Sequence, residues 1–125
     1  MTKQIVSTDQ APQSPMYSQA VRAGGLLFVS GQGPYDPASG AIVGSTIQEQ
    51  VAQCLRNVSA ILEAGGTSLE RIVSATFILV SPEDFAGLNE EWLKWFPTDK
   101  PARQGAQLPV RIEGLRVSIA VIAEA

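Results

Sequence analysis

The stretch IVSATFILV (residues 72–80) decides how this chain is read. It is dominated by β-branched and aromatic residues, which suit a pleated strand. Its alternate residues form two sets: Val73, Ala75, Phe77 and Leu79 fit a core beneath helices, while Ile72, Ser74, Thr76, Ile78 and Val80 make a mildly polar, partly apolar second face. LRVSIAVIA (115–123) divides in the same way, with Leu115, Val117, Ile119 and Val121 on one side and Arg116, Ser118, Ala120 and Ile122 on the other. A strand face bathed in water carries lysine and glutamate, and neither second face does. A sheet built from these strands is expected to be covered on both sides; the plainer alternative is a half-exposed sheet that tolerates some apolar residues.

Helices supply one cover. Ile47, Val51, Cys54, Leu55, Val58, Ile61 and Leu62 recur at steps of three and four, which predicts an amphipathic helix over 46–64. Ser45 or Thr46 caps it, and Gly65-Gly66 ends it in a left-handed conformation. SPED (81–84) opens a second helix, with Ser81 as N-cap, Pro82 at the first helical position and Asp84 as a weaker capping-box acid. Its stripe is Phe85, Leu88, Trp92 and Trp95 or Phe96, and Pro97 stops it. SQAVRAGGLLFVSG (18–31) reads as two short strands joined at Gly24-Gly25, and PARQGAQLP (101–109) as a shorter, weaker strand. The order predicts an α+β fold: a mixed β-sheet with two helices packed on one face. Two helices cover one side only, so the other is expected to meet a second copy of the chain in a homo-oligomer.

The length of 125 residues predicts a single domain over 1–125. The mean hydropathy is +0.10, and no apolar run approaches the ~20 residues that cross a bilayer, so no membrane partner is expected. The N-terminus lacks an apolar signal region, and one cysteine makes no internal disulfide; a cytoplasmic location is the expectation. Twelve acids against nine bases, with the bases scattered from Lys3 to Arg116, argue against nucleic acid as the main partner. The absence of histidine excludes the Ser-His-Asp relay, Cys-His pairs, histidine-based ribonuclease chemistry and the common zinc sites. Proton transfer is left to carboxylates, Tyr17, Tyr35, a lysine, Cys54 or water.

Within KPARQGAQLP (100–109), Arg103 is the candidate anchor for a ligand carboxylate. Pro101 and Pro109 bracket the segment, Gly105 clears a side chain from the same face, and Gln104 and Gln107 offer neutral donors in place of a partnering acid. An unpaired guanidinium beside cleared space can grip a carboxylate in bidentate fashion; the ordinary reading of a strand arginine is a solvated edge or a structural ion pair. GQGPYDPASG (31–40) does not meet the GxGxxG pattern and leads into no immediate helix, so it reads as a surface loop. Ser30-Gly31, on the strand feeding that loop, offers a hydroxyl and bare amides to a ligand, though no base is present to make Ser30 a nucleophile. Cys54 falls in the apolar stripe of the first helix and reads as core, Trp92 and Trp95 read as core or interface packing, and Asn89 suits a solvated helix position equally well.

SPMYSQAV (14–21), LLFVSGQGPYDPASG (26–40), QVAQCLRNVSAILEAGG, IVSATFIL, DFAGLNEEW (84–92) and PAR (101–103) together make the chain resemble the RidA family along nearly its whole length. The resemblance implies a chorismate-mutase-like trimer whose sheets meet in a central barrel, with ligand sites in the clefts between subunits. It further implies cofactor-free hydrolysis of reactive enamines and imines such as 2-aminoacrylate to 2-keto acids and ammonia. By the family pattern Arg103 holds the substrate carboxylate, Tyr17 and Ser30 line the cleft, and Asn89 supports it; Gly31, beside Ser30, and Gly105 complete the candidate substrate-binding set. Two positions depart from the pattern: the family cysteine two residues after the arginine is Gly105, and the family's water-orienting glutamate falls at Ala120. Weakened or redirected turnover follows as an expectation, with a non-catalytic carboxylate-binding protein as the alternative. An RNA-cleaving activity, ascribed to some relatives, is disfavoured by the missing histidines and basic patches.

Overall fold

The computed structural model describes residues 2–108 and 111–125. Six strands form one mixed sheet: β1 (Gln4–Val6), β2 (Ala20–Ala23), β3 (Leu26–Gln32), β4 (Ile72–Leu79), β5 (Ala102–Gln107) and β6 (Val117–Glu124), in the spatial order β1-β2-β3-β6-β4-β5. All neighbours are antiparallel except β4 and β5, which run parallel with the second helix between them in the chain. Gly24 and Gly25 close the β2–β3 hairpin with φ of 60° and 77°, the paired positive values of a tight two-residue turn. β1 is a strand the sequence reading did not identify, since three residues are too few to display an alternation.

Helix α1 (Ile47–Ala64) packs across β3 and β6. Thr46 accepts from the Glu49 amide while the Glu49 side chain accepts from the Thr46 amide, a complete capping box. Those hydrogen bonds hold the Glu49 carboxyl below its ordinary pKa. Only one of the two terminal glycines adopts the expected left-handed geometry: Gly66 has φ 81°, while Gly65 lies at −86°.

The second helix begins later than its capping motif promised. Pro82–Asp84 makes one 3-10 turn, with the Ser81 hydroxyl accepting from the Glu83 amide, and α2 follows over Phe85–Trp95. Asp84 does not return to Ser81 as a capping acid. It pairs instead with Arg116 at 3.1 Å, because the chain entering β6 brings that guanidinium beside it.

The face division of β6 holds, with Val117, Ile119, Val121 and Ala123 buried beneath the helices. In β4 the division holds for Ala75, Phe77 and Leu79 and fails before them. Ile72 pairs with Ala123 and Ser74 with Ile122, so two β4 residues face one step of β6. This bulge turns Ile72 into the core and leaves Val73 43% exposed, the reverse of the simple alternation. A second bulge lies in β3, where Val29 pairs with Val121 but Gln32 with Ile119, and it contains Ser30 and Gly31.

Opposite the helices, Ile5, Val21, Phe28 and Ile122 stand in one row across β1, β2, β3 and β6, continued on β4 and β5 by Ser74 and Ala102. Phe28 is 42% exposed there and Ile5 65%. The apolar band crosses four strands without a helix over it.

Buried amides on α1 tie down the loop after β3. Asn57 donates to the carbonyls of Gly33 (3.1 Å) and Tyr35 (2.9 Å) and accepts from Gln53. Gln50 donates to Gly44 and Gly114 and accepts from the Arg116 amide. Asn57→Leu keeps much of the volume but strips the Gly33 carbonyl of this donor and leaves Tyr35 only the 3.4 Å contact from Gln53, so it is expected to cost about 2–3 kcal/mol, read as a lowered midpoint in urea unfolding.

Candidate functional site

Arg103 lies on the edge strand β5, in register with Ala75 of β4 and so on the helix side of the sheet. Its guanidinium carbon sits 5.0 Å from the Phe77 ring centroid, 5.2 Å from Trp92 and 5.8 Å from Phe85. The aromatic bed follows from α2, where Phe85 and Trp92 are seven residues apart on one stripe, and from Phe77 on the neighbouring strand. Each ring face attracts the cation, and partial burial against them lowers the Arg103 pKa from its ordinary value. Arg103 forms none of the ion pairs found among the described residues, which join Arg71 to Glu124, Lys94 to Glu91 and Arg116 to Asp84. The charge is oriented by rings and left open to an external anion.

A cavity of about 370 Å³ opens beside it, lined by Asn89, Trp92, Leu93, Lys100, Pro101 and Arg103. Asn89 and Arg103 therefore line one cavity. Lys100 adds a second cation; its amino group donates to the Pro97 carbonyl at 3.2 Å. The aromatic bed and Lys100 were assigned no ligand role from sequence. The spacing of Phe85, Asn89 and Trp92 at four and three was the available signal, since it sets them on one helix face.

Gly105, in register with Phe77, faces a different cavity of about 330 Å³. A Cβ at this position would overlap the Phe77 ring. Missing side-chain bulk at 105 is what lets that ring lie across β5. The two glutamines are spent locally, Gln104 donating to the Thr76 hydroxyl and Gln107 to the Val80 carbonyl, both at the long end of hydrogen bonding. The bracketing Pro109 lies outside the described residues.

Tyr17, Ser30 and Gly31 stand elsewhere. Two strands separate β3 from β5, and three inter-strand spacings make about 14 Å. Ser30 is held in the β3 bulge, its hydroxyl donating to the Ser18 carbonyl at 2.6 Å and its amide to the Gln19 carbonyl. Gly31 is exposed and close to the Ser118 hydroxyl, and Tyr17 is 56% exposed. Ala120 lies on the outward face, in one row with Thr76 and Gln104. Glu124, too far along β6 to replace a carboxylate at 120, pairs with Arg71. One chain thus holds these residues in two separate places.

Cys54 is buried, its thiol turned to the Val117 carbonyl at 3.7 Å, and burial pushes its pKa up. It is core, as its helical position indicated. Alkylation of the native protein is expected to run at least about a hundredfold slower than that of the urea-unfolded chain; equal rates would place the thiol at the surface.

Comparison with known proteins agrees with this architecture. The model of the family described as Endoribonuclease L-PSP matches residues 8–125. A RutC family protein of Pyrococcus horikoshii is 40% identical over 97% of both chains, and a 2-iminobutanoate/2-iminopropanoate deaminase of Capra hircus is 36% identical over 98% of this chain and 90% of its own. The crystal structure of E. coli TdcF with bound serine superposes with a TM-score of 0.88 at 32% identity, covering 98% of each chain. The chain belongs to the Endoribonuclease L-PSP family, the RidA family of its sequence motifs. No helix among the described residues is long and apolar enough to cross a membrane.

Proposed function

We propose that this protein is a RidA-type enamine/imine deaminase, converting a small 2-imino acid and water to a 2-keto acid and ammonia without a cofactor. The observation that carries the reading is the Arg103 guanidinium, bedded on three rings beside Lys100 and Asn89 with no acid among the described residues as counter-ion. The deaminase names of relatives above 30% identity point the same way, as does the serine, an amino acid carboxylate, held by E. coli TdcF.

The chemistry asks little of the protein. An imine nitrogen that has taken a proton makes its carbon electrophilic; water adds there, a proton moves to nitrogen, and the C–N bond breaks to release ammonia. Arg103 grips the carboxylate and so fixes the neighbouring imine carbon where water meets it. Absence of a water-orienting carboxylate at Ala120 slows such a step by on the order of 10²–10⁴ without abolishing it. The cleft is assembled in a homotrimer, in which the outward sheet faces meet and Tyr17, Ser30 and Gly31 of one protomer approach Arg103 and Asn89 of the next. The apolar row through Phe28 and Ile122 supports that assembly, and a cytoplasmic setting is part of the same reading.

Keto-acid release from 2-aminoacrylate generated in place by a serine dehydratase tests the activity. Arg103→Ala is expected to lower kcat/KM by about a hundredfold. Equal rates for wild type and variant, both at the no-protein background, would remove the proposal. Binding of 2-ketobutyrate that needs Arg103 without any turnover would favour the carboxylate-binding reading.

Assembly has its own test. Phe28→Glu sets a charge in the proposed interface and is expected to give monomers by light scattering at micromolar concentration, where wild type gives trimers. A wild-type monomer there would contradict the shared cleft.

A further inference from the structure

Resting on the deaminase reading, the structure assigns the side chain of the substrate to the cavity beside Gly105, and so assigns a preference for branched aliphatic imino acids over two- and three-carbon ones. The cavity of about 330 Å³ is lined by Phe77, Leu79, Pro82, Phe85, Ala106 and Gln107 around that glycine. Its volume lies within the ~300–1,000 Å³ of small-molecule sites. Gln107 is its one polar side chain, and Phe77 and Leu79 connect it to the core.

Position ties it to the anchor. Arg103 and Gly105 share a face two strand residues apart, about 6.6 Å. The Phe77 and Phe85 rings, with centroids 5.8 Å apart, are at once the bed of the guanidinium and the wall of the cavity. Arg103 lines the neighbouring cavity, and the two cavities are divided by these shared rings, so a carboxylate on Arg103 sends an isobutyl group past the rings toward Gly105. The acetyl-sized chain of pyruvate, held by the same carboxylate, leaves most of that volume unfilled.

Gly105 is the specificity-determining position. Any Cβ there overlaps the Phe77 ring, so the ring must turn away or close the cavity. The glycine is therefore what lets the Phe77 ring keep its place in the cavity wall.

Calorimetric affinities of 4-methyl-2-oxopentanoate and pyruvate, the keto acids of the two imines, test this apart from turnover. Each methylene moved from water into an apolar site is worth about fourfold in affinity, so wild type is expected to favour the larger acid by at least about tenfold. Gly105→Ala and Gln107→Trp, the second filling the cavity from an exposed edge-strand position with no demand on the core, are each expected to bring the ratio near one. A wild type that binds the branched acid no tighter than pyruvate, or binds neither, overturns the inference, as does a ratio unmoved by both variants. Failure of keto-acid release alone, with the affinity ratio as expected, would count against catalysis and leave the side-chain site standing.

Discussion

An apolar row without cover, Ile5, Val21, Phe28 and Ile122 running across four strands, is the constraint on which the rest of this molecule turns. Helices α1 and α2 seal the opposite side and bury Leu55, Val58, Leu62 and Leu88 completely. Each such side chain contributes about 1.5–3 kcal/mol, enough together to hold the sheet against its helices. Nothing comparable covers the outward face. The same sheet order holds the β3 bulge about 14 Å from the edge strand that carries Arg103. In the proposed assembly a second chain across the outward face answers both problems at once, by covering the row and by bringing Ser30 and Gly31 of one protomer to Arg103 of the next.

The anchor shows how a charge is positioned without a salt bridge. Three aromatic rings orient Arg103 from below, and ring faces, unlike a carboxylate, leave the donors of the guanidinium available. The arrangement depends on Gly105, because Phe77 reaches across β5 only where that residue has no side chain. The departure from the family pattern at 105 and the aromatic bed are thus one structural feature. Ala120, the other departure, lies on the outward face beside Thr76 and Gln104, so its consequence falls on the surface proposed to meet the second chain.

Much of this was legible in the chain itself. The three- and four-residue periodicity located both helices, the β-branched runs located β4 and β6, and the positive-φ glycine pair located the hairpin. Local alternation cannot register a bulge, which is set by pairing with a strand distant in sequence; Val73 and Ile72 were therefore placed on the wrong faces. Asp84 was misplaced for a related reason, since Arg116 comes to it from thirty-two residues away. Arg103 was visible as an arginine among neutral neighbours. Its partners were not, because Phe77, Phe85 and Trp92 become a single bed only when β4, β5 and α2 are brought together.

Mixed assemblies interrogate the proposed shared site most directly. Arg103→Ala and Gly31→Trp each disable one half-site, and chains of the two kinds, co-expressed in equal amounts, should restore keto-acid release to about a quarter of the wild-type rate, since a quarter of the clefts pair an intact arginine with an intact glycine. A mixture as inactive as its separate components, although light scattering shows them assembled together, would mean that both groups serve one site within a single chain, or no common site at all.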